Sequence, residues 1–266
     1  MNVFEVSERI NFIMNKAVTV RGVTIGEGIP KICVPIVGTT LEEITDSARK
    51  ITEASPDVVE WRIDHFRDIL DPEQMEEALR ALRSILPDTP LLFTFRTKKE
   101  GGEREISMED YTILNHRAVT SGLIDLIDVE IFSGDDVVQA IIQDAHAHQI
   151  PVIASNHHFH ETPEEETLLN IFRKMNFLGA DILKIAVMPS SRRDVLRLLS
   201  ATETASRFSE KPIITMSMSG TGLISRLCGE VFGSALTFGA VGKTSAPGQI
   251  SASELKAVLN LIHENL

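Results

Sequence analysis

Short apolar runs alternate with longer amphipathic segments along most of the chain. The apolar runs are rich in β-branched residues and predict buried strands of a parallel sheet. The segments between and after them carry apolar residues at helical spacing and predict helices. The predicted strands are 31–37, 57–61, 90–96, 124–130, 151–156, 181–188, 212–217 and 236–241, and the predicted helices are 41–54, 72–85, 108–121, 135–148, 163–178, 191–208, 222–231 and 251–265.

Four of the predicted helices begin with a capping signal. Thr40 and Ser251 each precede a glutamate by three residues, which is the spacing of a capping box. Asp71 and Thr162 each stand directly before a proline that would take the first helical position. These signals support the helix starts that the apolar spacing predicts.

The order of strand and then helix, repeated eight times in 266 residues, predicts an α/β fold, a single-domain TIM (β/α)8 barrel. A doubly wound open sheet is the alternative, but it would need a glycine-rich fingerprint after the first strand, and Val37-Gly38-Thr39-Thr40 is not one. Residues 17–28 alternate around a turn at Arg21-Gly22 and predict an N-terminal β-hairpin that closes the bottom of the barrel. Residues 1–13 predict an N-terminal extension, which leaves 14–266 as the barrel domain.

Charge and composition restrict the partners. The net charge of -12 argues against nucleic acid and against an anionic membrane surface. No apolar run is long enough to span a membrane. The two cysteines, Cys33 and Cys228, lie in apolar contexts and indicate reduced, buried thiols in a cytoplasmic protein. An anionic substrate would therefore need a local cluster of arginines.

A single charged residue, Lys184, interrupts the sixth predicted strand. Burial disfavours an ammonium and so lowers the pKa of a lysine. A lysine that is neutral near pH 7 is a nucleophile that can form a Schiff base with a ketone or aldehyde. A lysine in an ion pair at a strand end is the alternative, and the polar residues at the other strand ends favour the nucleophile.

A histidine, His157, follows the fifth predicted strand and would lie beside the strand of Lys184. Histidine titrates near neutral pH, so His157 could remove the proton that an iminium at Lys184 acidifies. Glu100 stands in a Lys-Lys-Glu-Gly-Gly turn. It could orient His157, or it could be a solvated loop charge.

The neighbours of His157 raise a zinc site as an alternative. His158, His160 and Glu161 complete an H-x-x-H-E order at a strand end. The zinc pattern H-E-x-x-H lies on a helix, so this spacing does not favour a metal. We therefore expect no metal site here.

Arginines and acids collect at the predicted carboxyl ends of the strands, where TIM barrels place their active sites. Arginine binds carboxylates through two parallel hydrogen bonds, so these arginines could hold a substrate carboxylate and hydroxyls or could pair with the acids. We expect both uses. The arginines are Arg62, Arg96 and Arg226, and the acids are Glu60, Asp64, Asp128 and Glu130.

These motifs together resemble the type I 3-dehydroquinate dehydratases, the Schiff-base enzymes of the shikimate pathway. The resemblance covers about residues 15–266, with the motifs in the family's order. The matching segments are Glu60-x-Arg62-x-Asp64, Thr94-Phe95-Arg96-Thr97 with Glu100-Gly101-Gly102, Asp128-Val129-Glu130, Ser155-Asn156-His157-His158-Phe159, Lys184-Ile185-Ala186-Val187-Met188-Pro189, Met216-Ser217-Met218-Ser219, Arg226 and Ser245-Ala246-Pro247-Gly248-Gln249.

The resemblance implies dehydration of 3-dehydroquinate to 3-dehydroshikimate by a homodimer, without metal or organic cofactor. It implies Lys184 as the Schiff-base residue, His157 as the general acid and base, Glu100 as the group that positions this histidine, and Arg226 as the carboxylate-binding arginine. The implied hydroxyl and ring contacts are Glu60, Arg62, Arg96, Ser245 and Gln249. Pro35 stands where some members have a serine on the first strand, and His158 stands where many have an aspartate, so these departures affect local contacts only.

Two other functions stay open from the residues alone. A class I aldolase also uses a barrel lysine, and its usual phosphate site could lie at Gly220-Thr221-Gly222, which opens a helix. A catalytically silent barrel that binds a polyhydroxy acid is the second. Turnover of sugar phosphates would favour the aldolase, and binding without turnover would favour the silent barrel.

Overall fold

Eight parallel strands form a nearly closed barrel. The computed structural model describes residues 17–242 and 246–266. Each barrel strand except the seventh pairs with the next along the chain, and the last pairs with the first. Ala235 N donates to Ile213 O at 2.7 Å, which joins the remaining two strands near their start. The barrel strands are β3 (Lys31–Ile36), β4 (Val58–Arg62), β5 (Leu91–Thr94), β6 (Leu126–Glu130), β7 (Val152–His158), β8 (Ile182–Val187), β9 (Ile213–Ser217) and β10 (Leu236–Phe238).

Helices alternate with these strands, and the predicted TIM barrel is confirmed. Two short 3-10 turns, Ile63–His65 and Lys98–Glu100, follow β4 and β5. The helices in the described residues are α1 (Leu41–Ala54), α2 (Pro72–Ile85), α3 (Met108–Thr120), α4 (Asp135–Ala147), α5 (Glu165–Phe177), α6 (Arg192–Phe208), α7 (Leu223–Leu227), α8 (Gly229–Phe232) and α9 (Ala252–His263).

Three of the four predicted caps are confirmed and one is wrong. The side chains of Thr40, Asp71 and Ser251 accept backbone N–H groups in the first turns of α1, α2 and α9. Thr162 does not cap α5, because its hydroxyl donates to Met188 O at 3.0 Å and the helix begins only at Glu165. The predicted helix 222–231 is also divided, into α7 and α8.

A two-stranded hairpin closes the bottom of the barrel, as predicted. Strands β1 (Val18–Val20) and β2 (Val23–Ile25) pair antiparallel. Arg21 and Gly22 between them both have positive φ, as the tightest hairpin turns require. Val20 and Ile25 pack on the lowest inward-facing layer of the barrel, which consists of Cys33, Val58, Leu92, Leu126, Ile153, Ile182, Ile214 and Leu236.

The next layer towards the carboxyl ends of the strands is polar. Because side chains alternate along a strand, the residue two positions after each layer residue also points inward. This places Glu60, Thr94 and Asp128 in the barrel above Val58, Leu92 and Leu126, and Ser155 and Lys184 above Ile153 and Ile182. The apolar layer therefore separates a buried polar layer from the hairpin.

The predicted N-terminal extension, 1–13, lies outside the described residues. Within the described part of the chain, no helix is both long and apolar enough to cross a membrane.

We predict that Ile25→Ala destabilises the fold by about 2–5 kcal/mol, the usual cost of truncating a fully buried aliphatic side chain. Ile25 is buried under the barrel, so the variant leaves a cavity between the hairpin and the lowest layer. Urea unfolding of Ile25→Ala and of Thr19→Ala, an exposed neighbour on β1, measures the difference. Equal midpoints in both variants would show that the hairpin does not support the barrel.

Candidate active site

A cavity opens at the carboxyl ends of the strands, where the sequence predicts the site. Eight of the nine predicted site residues line it, and the ninth, Ser245, lies outside the described residues. The lining residues are Glu60, Arg62, Arg96, Glu100, Gly101, His157, Phe159, Lys184, Ala186, Met216, Met218, Arg226, Phe238, Ala246 and Gln249.

Lys184 lies in the middle of β8 and is 3% exposed. Its Nζ donates to Asp128 Oδ2 at 3.0 Å and lies 3.7 Å from Glu60 Oε1. It also lies 4.7 Å from the centre of the Phe238 ring. The amine of Lys184 is therefore ion-paired and not isolated, because Asp128 on β6 and Glu60 on β4 face it across the barrel.

Asp128 is held from two sides. Its Oδ1 accepts Arg96 Nη2 at 2.7 Å and Ser155 Oγ at 2.6 Å, while Oδ2 faces Lys184. Burial raises the pKa of a carboxyl, but Arg96 and Lys184 outweigh burial and lower the pKa of Asp128 to about 2. Asp128 is therefore an anion near neutral pH.

Arg96 connects this cluster to a second buried acid. Its Nη1 donates to Glu130 Oε1 and to Ser155 Oγ, both at 2.9 Å. Glu130 also accepts the backbone N–H and the hydroxyl of Thr97. Burial lowers the pKa of an arginine, but Asp128 and Glu130 outweigh burial and raise the pKa of Arg96. The guanidinium is therefore a fixed charge.

His157 and Glu100 form a buried pair at the other side of the cavity. Glu100 Oε2 lies 2.9 Å from His157 Nδ1 and accepts the His157 backbone N–H at 3.0 Å. Asn156 Nδ2 donates to the other oxygen at 3.2 Å. Glu100 is 4% exposed, so it is not a solvated loop charge.

The electrostatics of this pair suit proton transfer. Burial lowers the pKa of His157 well below its usual range, and the positive charges of Arg96 and Lys184 lower it further. Burial and the carboxylate of Glu130 raise the pKa of Glu100 to about 8. A neutral imidazole has one nitrogen that accepts and one that donates, so the pair can take up a proton and return it.

Two glycines bring Glu100 to the histidine. Gly101 has φ of 86°, and a Cβ on it would overlap the Phe159 ring. A Cβ on Gly102 would overlap the backbone carbonyl of Arg96. The turn that carries Glu100 can therefore pack against β5 and β7 only with glycine at both positions.

Two further arginines line the cavity in different electrostatic states. Arg62 donates to both oxygens of Asp64, each at 2.7 Å. Burial lowers its pKa, but the hydrogen bonds that it donates to Asp64, and the charge of that carboxylate, outweigh burial and raise it. Arg226 donates to Pro247 O at 3.3 Å, while its Nε and Nη1 are buried without a partner among the described residues. Burial lowers the pKa of Arg226 to about 10, so it remains a cation with free donors.

The sequence interpretation included Thr94 and Ser155 in its motifs but gave these two polar residues no role. The Thr94 hydroxyl donates to Glu60 Oε1 at 2.9 Å, and Ser155 holds Asp128. Both lie two residues after a lower-layer apolar residue, so the strand alternation itself points to them. The zinc alternative has no geometric support, because no group of three potential ligands converges in residues 17–242 and 246–266.

Comparisons with known proteins agree with this geometry. The family model for type I 3-dehydroquinase matches residues 32–266. A 3-dehydroquinate dehydratase from Salmonella agona (strain SL483) is 54% identical over 250 residues, which are 94% of this chain and 99% of that relative.

Two solved structures are similar in fold and in sequence. A type I 3-dehydroquinate dehydratase from Clostridium difficile, solved with covalently modified comenic acid, is 51% identical with a TM-score of 0.93, over 95% of this chain and 100% of that chain. A 3-dehydroquinate dehydratase from Geobacillus kaustophilus HTA426 is 40% identical with a TM-score of 0.92. The match covers 95% of this chain and 98% of that chain.

We predict that Gly102→Ala lowers the free energy of unfolding by about 1–3 kcal/mol, because an added methyl group in a closely packed position forces the backbone to move. Gly220→Ala is the matched control, since a Cβ at Gly220 meets no atom within 4 Å. Urea unfolding of the two variants checks this. Equal stability of Gly102→Ala and the wild type would show that the turn carrying Glu100 is not closely packed against β5.

Proposed function

The chain belongs to the type I 3-dehydroquinase family, and on this premise we propose that it acts through a Schiff base at Lys184 with His157 as the general acid and base. Its reaction is the dehydration of 3-dehydroquinate in the shikimate pathway, so the chain is a hydro-lyase. The family membership favours this reaction over the aldolase and over the silent barrel.

The observation that carries the mechanism is the register of β7 and β8. Ser155 pairs with Lys184, and His157 pairs with Ala186. His157 is therefore one inward-facing position closer to the mouth than Lys184, on the adjacent strand. A ketone carbon bonded to Lys184 would have its neighbouring carbon within reach of the imidazole, and the small Ala186 leaves room for the ring between them.

The chemistry follows from this arrangement. The amine of Lys184 attacks the ring ketone, and the carbonyl oxygen leaves as water while the C=N bond of an iminium forms. The iminium withdraws electrons from the adjacent carbon, and His157 removes a proton there to give an enamine. The enamine expels the hydroxyl group, which His157 protonates from the same side. A second water molecule hydrolyses the new iminium and frees Lys184.

The other lining residues suit binding of a polyhydroxy acid. Arg226 has free N–H groups and carries its charge without an acidic partner among the described residues, so it would hold the substrate carboxylate. We assign hydroxyl and ring contacts to Glu60, Arg62, Arg96, Ser245 and Gln249. Glu100 would keep the His157 ring in the orientation that places its other nitrogen towards the substrate.

The Clostridium difficile relative supports covalent catalysis, since it was solved with a covalently modified ligand. No metal or organic cofactor takes part in the proposed steps. We also propose that the enzyme is a cytoplasmic homodimer, as the sequence resemblance implies, and sedimentation of the purified chain would test the dimer.

Lys184→Ala is predicted to lower kcat by about 10⁴-fold or more, the order that removal of a covalent nucleophile produces. Lys174→Ala is the control, because Lys174 pairs on the surface with Asp135 and lies outside the cavity. Absorbance of the conjugated product measures turnover, and thermal unfolding verifies that both variants fold. An active Lys184→Ala enzyme would exclude the Schiff base.

His157→Ala is predicted to lower kcat by about 10²- to 10⁴-fold, the usual contribution of a general acid and base. The variant keeps Lys184, so borohydride should still trap some adduct with 3-dehydroquinate. The neighbouring His158→Ala, outside the cavity lining, is expected to retain activity. Wild-type turnover in His157→Ala would remove the histidine from the mechanism.

A further inference from the structure

One carboxylate with no assigned role in the reaction lies against the reacting nitrogen. Asp128 Oδ2 accepts Lys184 Nζ at 3.0 Å. Arg96 and Ser155 both donate to Oδ1, at 2.7 and 2.6 Å. These two donors hold the carboxylate so that its free oxygen points at the lysine.

The reaction changes the number of N–H groups on this nitrogen. Ammonium and ketone give an iminium and one water molecule, so the single positive charge is conserved while three N–H groups become one. The remaining N–H is buried and needs an acceptor, because an unpaired buried donor costs about 1–3 kcal/mol. If its proton were lost, the resulting neutral imine would be a weak electron sink.

We propose that Asp128 is the counterion of the iminium at Lys184: it accepts the remaining N–H, keeps the nitrogen protonated and fixes the plane of the C=N bond. This rests on the proposed Schiff-base function and adds a catalytic residue to it. The carboxyl of Asp128, whose pKa is about 2, is a weak base, so it holds the proton in a hydrogen bond without removing it.

Among the described residues, Asp128 and Glu60 are the two carboxylates within 4 Å of Lys184 Nζ. Glu60 is farther away, at 3.7 Å, and its Oε1 already accepts the Thr94 hydroxyl. The other titratable or charged groups that act on Lys184, Asp128 or their neighbours come from several elements: Cys33 on β3, Arg62 on β4, Arg96 and Glu100 after β5, Tyr111 on α3, Glu130 on β6 and His157 on β7.

The test is the pH dependence of kcat in Asp128→Asn, since kcat reports groups in the enzyme–substrate complex. Loss of the anion makes the iminium lose its proton at lower pH. The alkaline limb of the kcat profile is therefore expected to move down by about 1–3 pH units, the effect of an opposite charge at this distance. KM is expected to change much less than kcat.

Asp125→Asn is the matched control, because Asp125 precedes the same strand, β6, but pairs with Arg21 and Arg83 and lies outside the cavity lining. The alkaline limb of its kcat profile is expected to coincide with that of the wild type. In Asp128→Asn, Arg96 can still pair with Glu130 and Lys184 can still pair with Glu60, so the variant should fold. Asp128→Ser, which leaves space for water beside Arg96, serves the same test if the asparagine variant does not fold.

An alkaline limb in Asp128→Asn or Asp128→Ser that coincides with the wild type would overturn the proposal, and so would an equal shift in Asp125→Asn. Borohydride treatment of the wild type with 3-dehydroquinate distinguishes failure of the counterion role from failure of the Schiff base. If a Lys184 adduct forms but the limb does not move, only the counterion role fails. If no adduct forms, the Schiff base fails as well.

Discussion

Charge balance inside the barrel is the constraint on which the rest of this structure depends. A closed sheet excludes water from its inner face, so each buried cation needs an acid within hydrogen-bonding distance. Breaking one such pair costs about 3–5 kcal/mol, because it leaves an uncompensated charge. The same contacts therefore stabilise the strand ends and orient the side chains that we propose take part in the reaction. The balanced sets are Arg96 with Asp128 and Glu130, Lys184 with Asp128 and Glu60, and Arg62 with Asp64.

Arg226 is the exception, and its position explains why. It lines the cavity from the short helix α7, and it donates to a backbone carbonyl instead of an acid. Its remaining N–H groups are buried without partners among the described residues. The charges within the barrel are matched by the protein itself, whereas this one is available to an anionic substrate. A chain of net charge -12 therefore presents local positive charge in this cavity, where we propose that Arg226 binds the substrate carboxylate.

The strand alternation allowed most of the fold to be predicted, because a buried parallel strand leaves a short, β-branched apolar run. It also placed Lys184 and His157 on adjacent strands. Thr162 shows where local signals fail: its hydroxyl binds Met188 O after β8, a contact that sequence spacing does not reveal. The pairing of Lys184 with Asp128 is likewise a contact between strands distant in sequence. Sequence could place both residues on inward faces, but only the closed barrel brings them to 3.0 Å.

The central claim is that Lys184 bonds covalently to the substrate ketone. The most direct measurement is the intact mass of the enzyme after borohydride reduction with 3-dehydroquinate, followed by peptide mapping. A Schiff base at Lys184 predicts one added ligand per chain, on the peptide that contains Lys184. A folded, active enzyme that gains no mass, or gains it on a different lysine, would contradict the account.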